Sequence, residues 1–121
     1  EYLEGCKAMA GGEIAGLITW SISGSKCEIV TLNSTRRGMG IGTALLQTCE
    51  NIARENGCGI CWLVTTNDNL AAIRFYRKRG YRITAITRGA VDEARRIKPS
   101  IPLTGESGIP IRDEIILSRE L

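Results

Sequence analysis

Histidine is absent from this chain of 121 residues, and aromatic residues are scarce. Without histidine there is no Cys-His pair for nucleophilic catalysis. Cys58 and Cys61 have Cys-x-x-Cys spacing, but a zinc ion would need a second pair of ligands in addition, and histidine cannot supply it. One phenylalanine, two tryptophans and three tyrosines offer few rings for stacking nucleic-acid bases, and a net charge of +3 is too small for a concentrated basic face. These absences argue against a zinc site, a cysteine nucleophile and a nucleic-acid-binding module.

Long hydrophobic runs are also missing. No apolar segment approaches the ~20 residues needed to cross a bilayer, and the N-terminus lacks the features of a signal peptide. We therefore expect a cytoplasmic protein that does not enter a membrane. The five cysteines are an odd number, so they cannot all pair within one chain. We expect reduced, buried thiols in one domain of ordinary size.

Short apolar segments separated by turn residues predict strands in the first third of the chain. Cys6 to Ala10, Ile14 to Ile22 and Cys27 to Leu32 are divided by glycine-containing turns, a pattern typical of an antiparallel meander. Alternate residues of the second segment fall on one face, which we expect to meet a helix. They are Ile14, Gly16, Ile18, Trp20 and Ile22.

From Ile41 the apolar spacing changes to three and four residues, which predicts an amphipathic helix ended by Asn56 and Gly57. Its predicted buried residues are Ile41, Ala44, Leu45, Thr48, Cys49, Ile52 and Ala53. The continuous apolar run from Ile60 to Thr65 predicts a strand that is buried on both faces beside a parallel neighbour.

The second half of the chain predicts further alternation of helices and strands. Asn67 or Asp68 is the expected cap of a helix near Leu70 to Arg79. The residues that this helix is expected to bury are Ala72, Ile73, Phe75 and Tyr76. A strand at Tyr81 to Ile86, a short helix at Ala90 to Lys98 and a last strand from Glu114 complete a mixed α/β fold with helices on a central sheet.

A glycine-rich turn precedes the first predicted helix and reads Arg36-Arg37-Gly38-Met39-Gly40-Ile41-Gly42-Thr43. Alternating glycines at a helix start let backbone N–H groups converge on an anion, helped by the positive end of the helix dipole. A P-loop would need a lysine after Gly42, and a dinucleotide fingerprint would need its third glycine one residue later. A phosphate or pyrophosphate ligand is expected.

Two motifs together resemble those of the GNAT superfamily of N-acetyltransferases. Arg37, Gly40 and Gly42 satisfy Arg-x-x-Gly-x-Gly between a strand and a helix. Downstream, the segments Asn69-Leu70-Ala71-Ala72-Ile73-Arg74-Phe75-Tyr76 and Gly80-Tyr81 match Asn-x-x-Ala…Phe-Tyr-x-x-x-Gly-Tyr/Phe. The resemblance covers roughly Glu13 to Ile86. It implies a mixed, mostly antiparallel central sheet with one parallel, splayed strand pair, flanked by helices.

The resemblance also implies transfer of an acetyl group from acetyl-CoA to a small-molecule or peptide amine, by direct attack and without a metal. It implies that Tyr76 donates a proton to the leaving thiolate and that Glu28, sharing one face with Val30 and Leu32, serves as the base. A packed aromatic and a solvent-facing glutamate are the structural alternatives. The residues implied to bind acetyl-CoA are Val30, Leu32, Asn33, Arg37, Gly38, Met39, Gly40, Ile41, Gly42, Thr43, Asn69, Tyr76, Lys78 and Arg79.

The resemblance includes one departure. Family members usually begin with a further strand and two helices that form part of the acceptor cleft, whereas this chain matches the family from the second strand onward. A non-catalytic acyl-CoA-binding or regulatory domain is therefore the alternative function. The segment from Glu4 to Ala10 would form an exposed sheet edge, which we expect either a second copy in a homodimer or additional native residues to cover.

Overall fold

The structure is a computed structural model that describes residues 3–35 and 40–121. Its elements are β1 (Glu4–Ala10), β2 (Glu13–Ser23), β3 (Lys26–Ser34), α1 (Ile41–Glu55), β4 (Ile60–Thr66), α2 (Leu70–Lys78), β5 (Arg82–Thr87), α3 (Ala90–Ile97) and β6 (Glu114–Glu120). This order agrees with the sequence prediction. No helix within these residues is long and apolar enough to cross a bilayer.

Six strands form one mixed sheet in the order β1-β2-β3-β4-β6-β5. Strands β1, β2 and β3 pair antiparallel as the predicted meander, β5 pairs antiparallel with β6, and β3 pairs parallel with β4. The predicted fold class is therefore confirmed. Strand β1 stands at one end of the order, which agrees with the predicted edge strand, whereas its covering by another chain stays a prediction. The chain divides into two compact units, the first formed by residues up to Trp62 with Glu120–Leu121 and the second by Leu63–Arg119.

In the first unit, helix α1 packs closely on β2. A Cβ atom added to Gly16 would lie 2.8 Å from Ile41 Cγ2 and 2.9 Å from Leu45 Cδ1, so only glycine permits this approach. Ile18 and Trp20, on the same face of β2, are buried. The predicted contact of this face with a helix is confirmed, although Ile14 at the start of the strand is exposed.

The buried face of α1 differs from the predicted one. Ala44 and Thr48 are exposed, whereas Leu46 and Glu50 are buried. The contact face is thus rotated by about one residue, because a helical period of three and four does not fix which of two adjacent stripes meets the sheet. The Thr48 hydroxyl is satisfied in its exposed position, since it donates a hydrogen bond to the Ala44 carbonyl oxygen at 3.0 Å.

Strand β4 is not buried on both faces. Cys61 and Leu63 are buried. The alternate residues Ile60 and Trp62 are half-buried, and Val64 is 40% exposed. The parallel neighbour is present, since Lys26, Cys27 and Glu28 pair with Ile60, Cys61 and Trp62. The prediction of two-sided burial was wrong because, among the residues that the structure describes, only one face of β4 is fully covered.

The second unit has its own aromatic core. Tyr76 of α2 packs edge-on against Tyr81, with ring centroids 5.2 Å apart, and both residues are buried. Of the four residues that α2 was predicted to bury, Tyr76 alone is buried, and Ala72, Ile73 and Phe75 are half-buried. Ile115 and Leu117 of β6 are also buried.

The cap of α2 is Asn69 and neither of the two predicted residues. Its side-chain oxygen accepts a hydrogen bond from the Ala72 N–H at 3.2 Å. The Asn67 side chain instead holds the segment before β6, accepting from the Arg112 N–H at 2.9 Å. Asp68 is buried and accepts a hydrogen bond from the Thr66 hydroxyl. Asn67, Asp68 and Asn69 are all polar residues of a type that can cap a helix, and hydrogen-bond partners elsewhere in the chain determine which of them does so.

Candidate functional site

Strand β3 contains a β-bulge at Val30. Thr19 of β2 pairs with Thr31 and Trp20 pairs with Ile29, so Val30 has no paired residue on β2. The Val30 side chain is 49% exposed, although β3 lies between two strands of the sheet. A bulge bends its strand and interrupts the ladder of hydrogen bonds. Strand β3 is therefore irregular and open shortly before it reaches the glycine-rich turn.

The bulge changes which side chains of β3 share a face. Directly opposite residues on antiparallel strands point to the same side. Leu32 is opposite Ile18, on the face that α1 covers. Glu28 is opposite Ser21, which lies on the other face because it is three residues from Ile18. The predicted common face of Glu28 and Leu32 was wrong, because the extra residue at Val30 shifts the alternation.

Thr35 lies just before the glycine-rich turn, and Gly40 lies within it, just before α1. Both the N–H and the hydroxyl of Thr35 donate to the Ala15 carbonyl oxygen, at 2.8 and 3.1 Å. Gly40 has a φ of 71° and precedes the first residue of α1, with no side chain capping the helix and no acidic residue in its first turn. The N-terminal end of α1 thus combines a left-handed glycine with the positive end of a helix dipole. The predicted site residues Arg37, Gly38 and Met39 lie outside the described part of the chain.

Glu28 lies in a surface pocket of about 400 Å³ in the first unit. The pocket is lined by Ser21, Ser23, Lys26, Glu28 and Trp62. Trp62 is the residue that pairs with Glu28 in the parallel register. Sequence reasoning missed the other four lining residues. Ser21, Ser23 and Trp62 come to Glu28 through strand pairing that leaves no local signal, whereas Lys26 lies two residues before Glu28 on the same strand. The pocket brings a carboxylate, an ammonium group, an indole ring and two hydroxyls together.

Tyr76 is a packed residue. Its ring contacts Phe75 and Tyr81, with centroid distances of 5.2 Å in both cases, and 5% of the residue is exposed. This burial fixes the direction of the side chain on α2. Packing of this kind agrees with the structural alternative for Tyr76 and is also what a precisely oriented proton donor requires.

Lys78 and Arg79, the remaining predicted cofactor residues at the end of α2, differ in the contacts that their side chains make. Arg79 lies over the Phe75 ring, 3.7 Å from its centroid, and its Nη1 donates to the Phe75 carbonyl oxygen at 2.8 Å. Lys78 is exposed and lines a pocket of about 470 Å³. The other residues of this pocket are Leu70, Ile73, Arg74 and Arg77. Three cationic side chains next to two aliphatic ones favour an anionic ligand that has an apolar part.

All five cysteines are free thiols, as expected, and four of them are buried, whereas Cys6 is half-buried against the expectation. The hydrogen bond with Cys49 lowers the pKa of Cys27, but the hydrogen bond with Cys61 and burial outweigh it and raise that pKa to about 12. Hydrogen bonds with Cys27 and Cys61, together with burial, raise the pKa of Cys49. Burial and the charge of Cys61 raise the pKa of Cys58. These thiols are therefore poor nucleophiles at neutral pH.

The sequence from residue 2 to residue 81 matches the model of the acetyltransferase (GNAT) family. The chain belongs to this family. Acetyl transfer from acetyl-CoA is the family's activity, and the reaction needs no metal. The matched GNAT segment includes the bulged strand, the glycine-rich turn, α1 and all of α2, the helix that carries Tyr76.

Individual relatives agree with the family assignment. The chain is 51% identical over 120 residues to the uncharacterised protein YdhI of Bacillus subtilis, a match that covers 98% of this chain and 75% of YdhI. A crystal structure of a Bacillus subtilis acetyltransferase in complex with CoA superposes with a TM-score of 0.82 and 25% identity, covering 98% of this chain and 77% of that one. Streptothricin acetyltransferase of Streptomyces lavendulae is 37% identical over 76 residues, which cover 60% of this chain and 40% of that enzyme.

Proposed function

We propose that this GNAT protein is an N-acetyltransferase in which an amine attacks acetyl-CoA directly, within a ternary complex. The observation that carries the proposal is the bulge at Val30. A bulge on a central strand opens backbone groups that an ordinary ladder would occupy, and this one lies six residues before Arg36, where the glycine-rich turn begins. An extended acyl-pantetheine arm fits beside such a strand, with its phosphates toward the turn.

The N-terminal end of α1 is the proposed pyrophosphate site. Gly40 provides the left-handed backbone, and Ile41, Gly42 and Thr43 form the first turn of the helix, where N–H groups point outward. Arg37, Gly38 and Met39 are assigned to the same site on the sequence motif. Val30 and Asn33 are assigned to the pantetheine arm. Leu32 faces α1, so its contribution to binding is through the backbone.

In the second unit, the pocket on α2 suits the 3′-phosphate and adenine of coenzyme A. Arg74, Arg77 and Lys78 supply positive charge, and Leu70 and Ile73 supply an apolar surface. Arg79 is already engaged with Phe75, so Lys78 is the stronger candidate of the two predicted cations. Asn69 caps α2 with its side chain, which leaves its backbone for any contact with the cofactor.

The Glu28 pocket is the proposed site of the acceptor amine. An alkylammonium with a pKa of ~10.4 must lose a proton before it can attack, and the Glu28 carboxylate is the base assigned to this step. The face of the Trp62 indole attracts a cation, which favours an ammonium-bearing acceptor over a neutral one. A small-molecule acceptor is supported by the similarity to a streptothricin acetyltransferase, and a peptide amine remains the second class.

Tyr76 is assigned as the proton donor. Collapse of the tetrahedral intermediate expels a thiolate whose conjugate acid has a pKa of ~8.5, so a positioned hydroxyl lowers the barrier without being obligatory. The contacts with Phe75 and Tyr81 hold the ring in one orientation. Tyr76→Phe keeps that packing and removes the hydroxyl alone.

The test is release of free coenzyme A from acetyl-CoA across a panel of amines. Glu28→Gln should lower kcat by about 100-fold or more, while its matched control Glu55→Gln, at the exposed end of α1, should leave kcat unchanged. Tyr76→Phe should lower kcat with little effect on acetyl-CoA affinity, whereas Tyr81→Phe should not. Equal loss in Tyr76→Phe and Tyr81→Phe would assign Tyr76 to the core.

Two further outcomes separate the candidate functions. Binding of acetyl-CoA with no turnover on any amine would favour a non-catalytic acyl-CoA-binding domain. No binding by calorimetry at millimolar acetyl-CoA would contradict both functions. Gly40→Val serves as the binding control, because a β-branched residue does not adopt the φ of 71° that the helix start requires.

A further inference from the structure

Three buried cysteines from three different elements meet in the core of the first unit. Cys27 lies on β3, Cys49 on α1 and Cys61 on β4, and each is 0% exposed. Their sulfur atoms all lie within 4.8 Å of one another, and those of Cys27 and Cys49 are 3.8 Å apart. The glycine-rich turn and the Glu28 pocket do not include any of these sulfurs, so acetyl transfer does not account for the cluster.

The backbone fixes the triangle of sulfur atoms. Cys27 and Cys61 are direct partners in the parallel register of β3 and β4, and α1, which carries Cys49, packs on the same face of the sheet. The centre of an equilateral triangle with sides of 3.8 to 4.8 Å is about 2.2 to 2.8 Å from each corner. That range includes the length of a zinc–thiolate bond, about 2.3 Å. A pyramidal centre lies above the plane of the sulfurs, so bonds of this length to all three require the sulfurs to draw closer together by side-chain rotation.

The net charge of the complex decides which metal or metalloid the three thiols can bind in the core. Three thiolates with a monovalent copper ion leave two negative charges in a fully buried site, and a divalent zinc ion leaves one. Buried net charge is costly, and structural zinc also takes four ligands, whereas this cluster offers three. A trivalent centre bound to three thiolates is neutral and three-coordinate.

We propose that Cys27, Cys49 and Cys61 form a binding site for a trivalent metalloid, arsenic or antimony. With arsenous acid, three As–OH bonds break and three As–S bonds form, and each thiol proton leaves with a hydroxide as water. The products are one neutral arsenic trithiolate and three water molecules, and no atom changes its oxidation state. The site requires no prior thiolate and leaves no charge in the core.

Arsenous acid is the probe for the native protein. One arsenic should remain bound per chain after desalting, measured by plasma mass spectrometry, and the number of thiols titrated under denaturing conditions should fall from five to two. X-ray absorption should show sulfur neighbours alone around the arsenic. Potassium antimonyl tartrate should compete, and zinc should not displace the arsenic.

Variants make the assignment specific to the cluster. Cys49→Ser and Cys61→Ala should each reduce arsenic retention at least 10-fold, whereas Cys6→Ala and Cys58→Ala, which keep the three sulfurs, should retain one arsenic per chain. Circular dichroism checks the fold, and two cluster variants are used so that failure of one to fold leaves the other. Retention unchanged in both cluster variants, five titratable thiols after arsenic treatment, or displacement by zinc would each overturn the proposal.

Discussion

Gly16→Ala tests whether the close packing of α1 on β2 positions the proposed pyrophosphate site. The new methyl carbon would lie 2.8 Å from Ile41 Cγ2, 2.9 Å from Leu45 Cδ1 and 2.9 Å from the Asn33 carbonyl oxygen. Optimal separations between carbon atoms are about 3.5 to 4.0 Å. The methyl group is thus too close by about 0.7 Å to side chains of the helix and also meets the backbone of β3. The Ile41 and Leu45 side chains and the backbone of β3 at Asn33 therefore have to shift.

The expected cost follows from this overlap. Overpacking by one methyl group typically destabilises a core by about 1–3 kcal/mol, and backbone contacts on β3 limit relaxation on that side. Ile41 is the first residue of α1, so its displacement also shifts the helix start at Gly40. We expect acetyl-CoA affinity to fall about 10-fold, equivalent to about 1.4 kcal/mol.

Gly59→Ala is the matched control. A Cβ atom at Gly59 would meet nothing within 4 Å, so Gly59→Ala introduces no clash. It changes only the conformational freedom that glycine gives to the unfolded chain. Urea denaturation of both variants gives the difference in the free energy of unfolding, and calorimetry gives the acetyl-CoA affinity. Equal stability of the two variants, or a Gly16→Ala protein of wild-type affinity, would refute the packing argument.

Two other predictions concern buried groups of the first unit. Thr19→Val should stabilise the fold by about 1 kcal/mol in thermal denaturation, because the buried Thr19 hydroxyl has no hydrogen-bond partner among the described residues; a loss of stability would show that the hydroxyl is satisfied. The free energy of unfolding should fall as the pH rises from 9.0 toward about 12, because the unfolded Cys27 thiol ionises first, and the raised pKa values of Cys49 and Cys58 add to this fall. Cys27→Ala should reduce the slope by up to about 1.4 kcal/mol per pH unit, and an unchanged slope would count against the argument.

The order of elements could be predicted because its signals are local. Alternation in the strands, the change of spacing at Ile41 and the glycines at turns are all readable within about ten residues. Gly57 illustrates this, since its φ of 81° follows the end of α1 as expected. The glycine-rich turn could be identified for the same reason, because a run of adjacent residues builds it.

Contacts between distant segments could not be predicted in the same way. Trp62 reaches Glu28 only through the parallel register of two strands. The Asn67 side chain accepts hydrogen bonds from backbone N–H groups more than forty residues away, and therefore holds that segment instead of capping α2. The thiol cluster could not be predicted either, because the spacing of Cys27, Cys49 and Cys61 along the sequence does not indicate that they meet. The Cys-x-x-Cys pair drew attention to Cys58, which is outside the cluster.

The bulge at Val30 shows why residues can be assigned to the right strand and still to the wrong face. A period of two assigns Leu32 to the side of Glu28, and one inserted residue reverses that assignment for everything beyond it. The reversal gives the two parts of β3 different partners. Leu32, beyond the bulge, lies on the face that α1 covers, while Glu28, before it, lines the pocket with Trp62. The separation of the proposed acetyl-CoA site from the proposed acceptor site along β3 thus follows from a single unpaired residue.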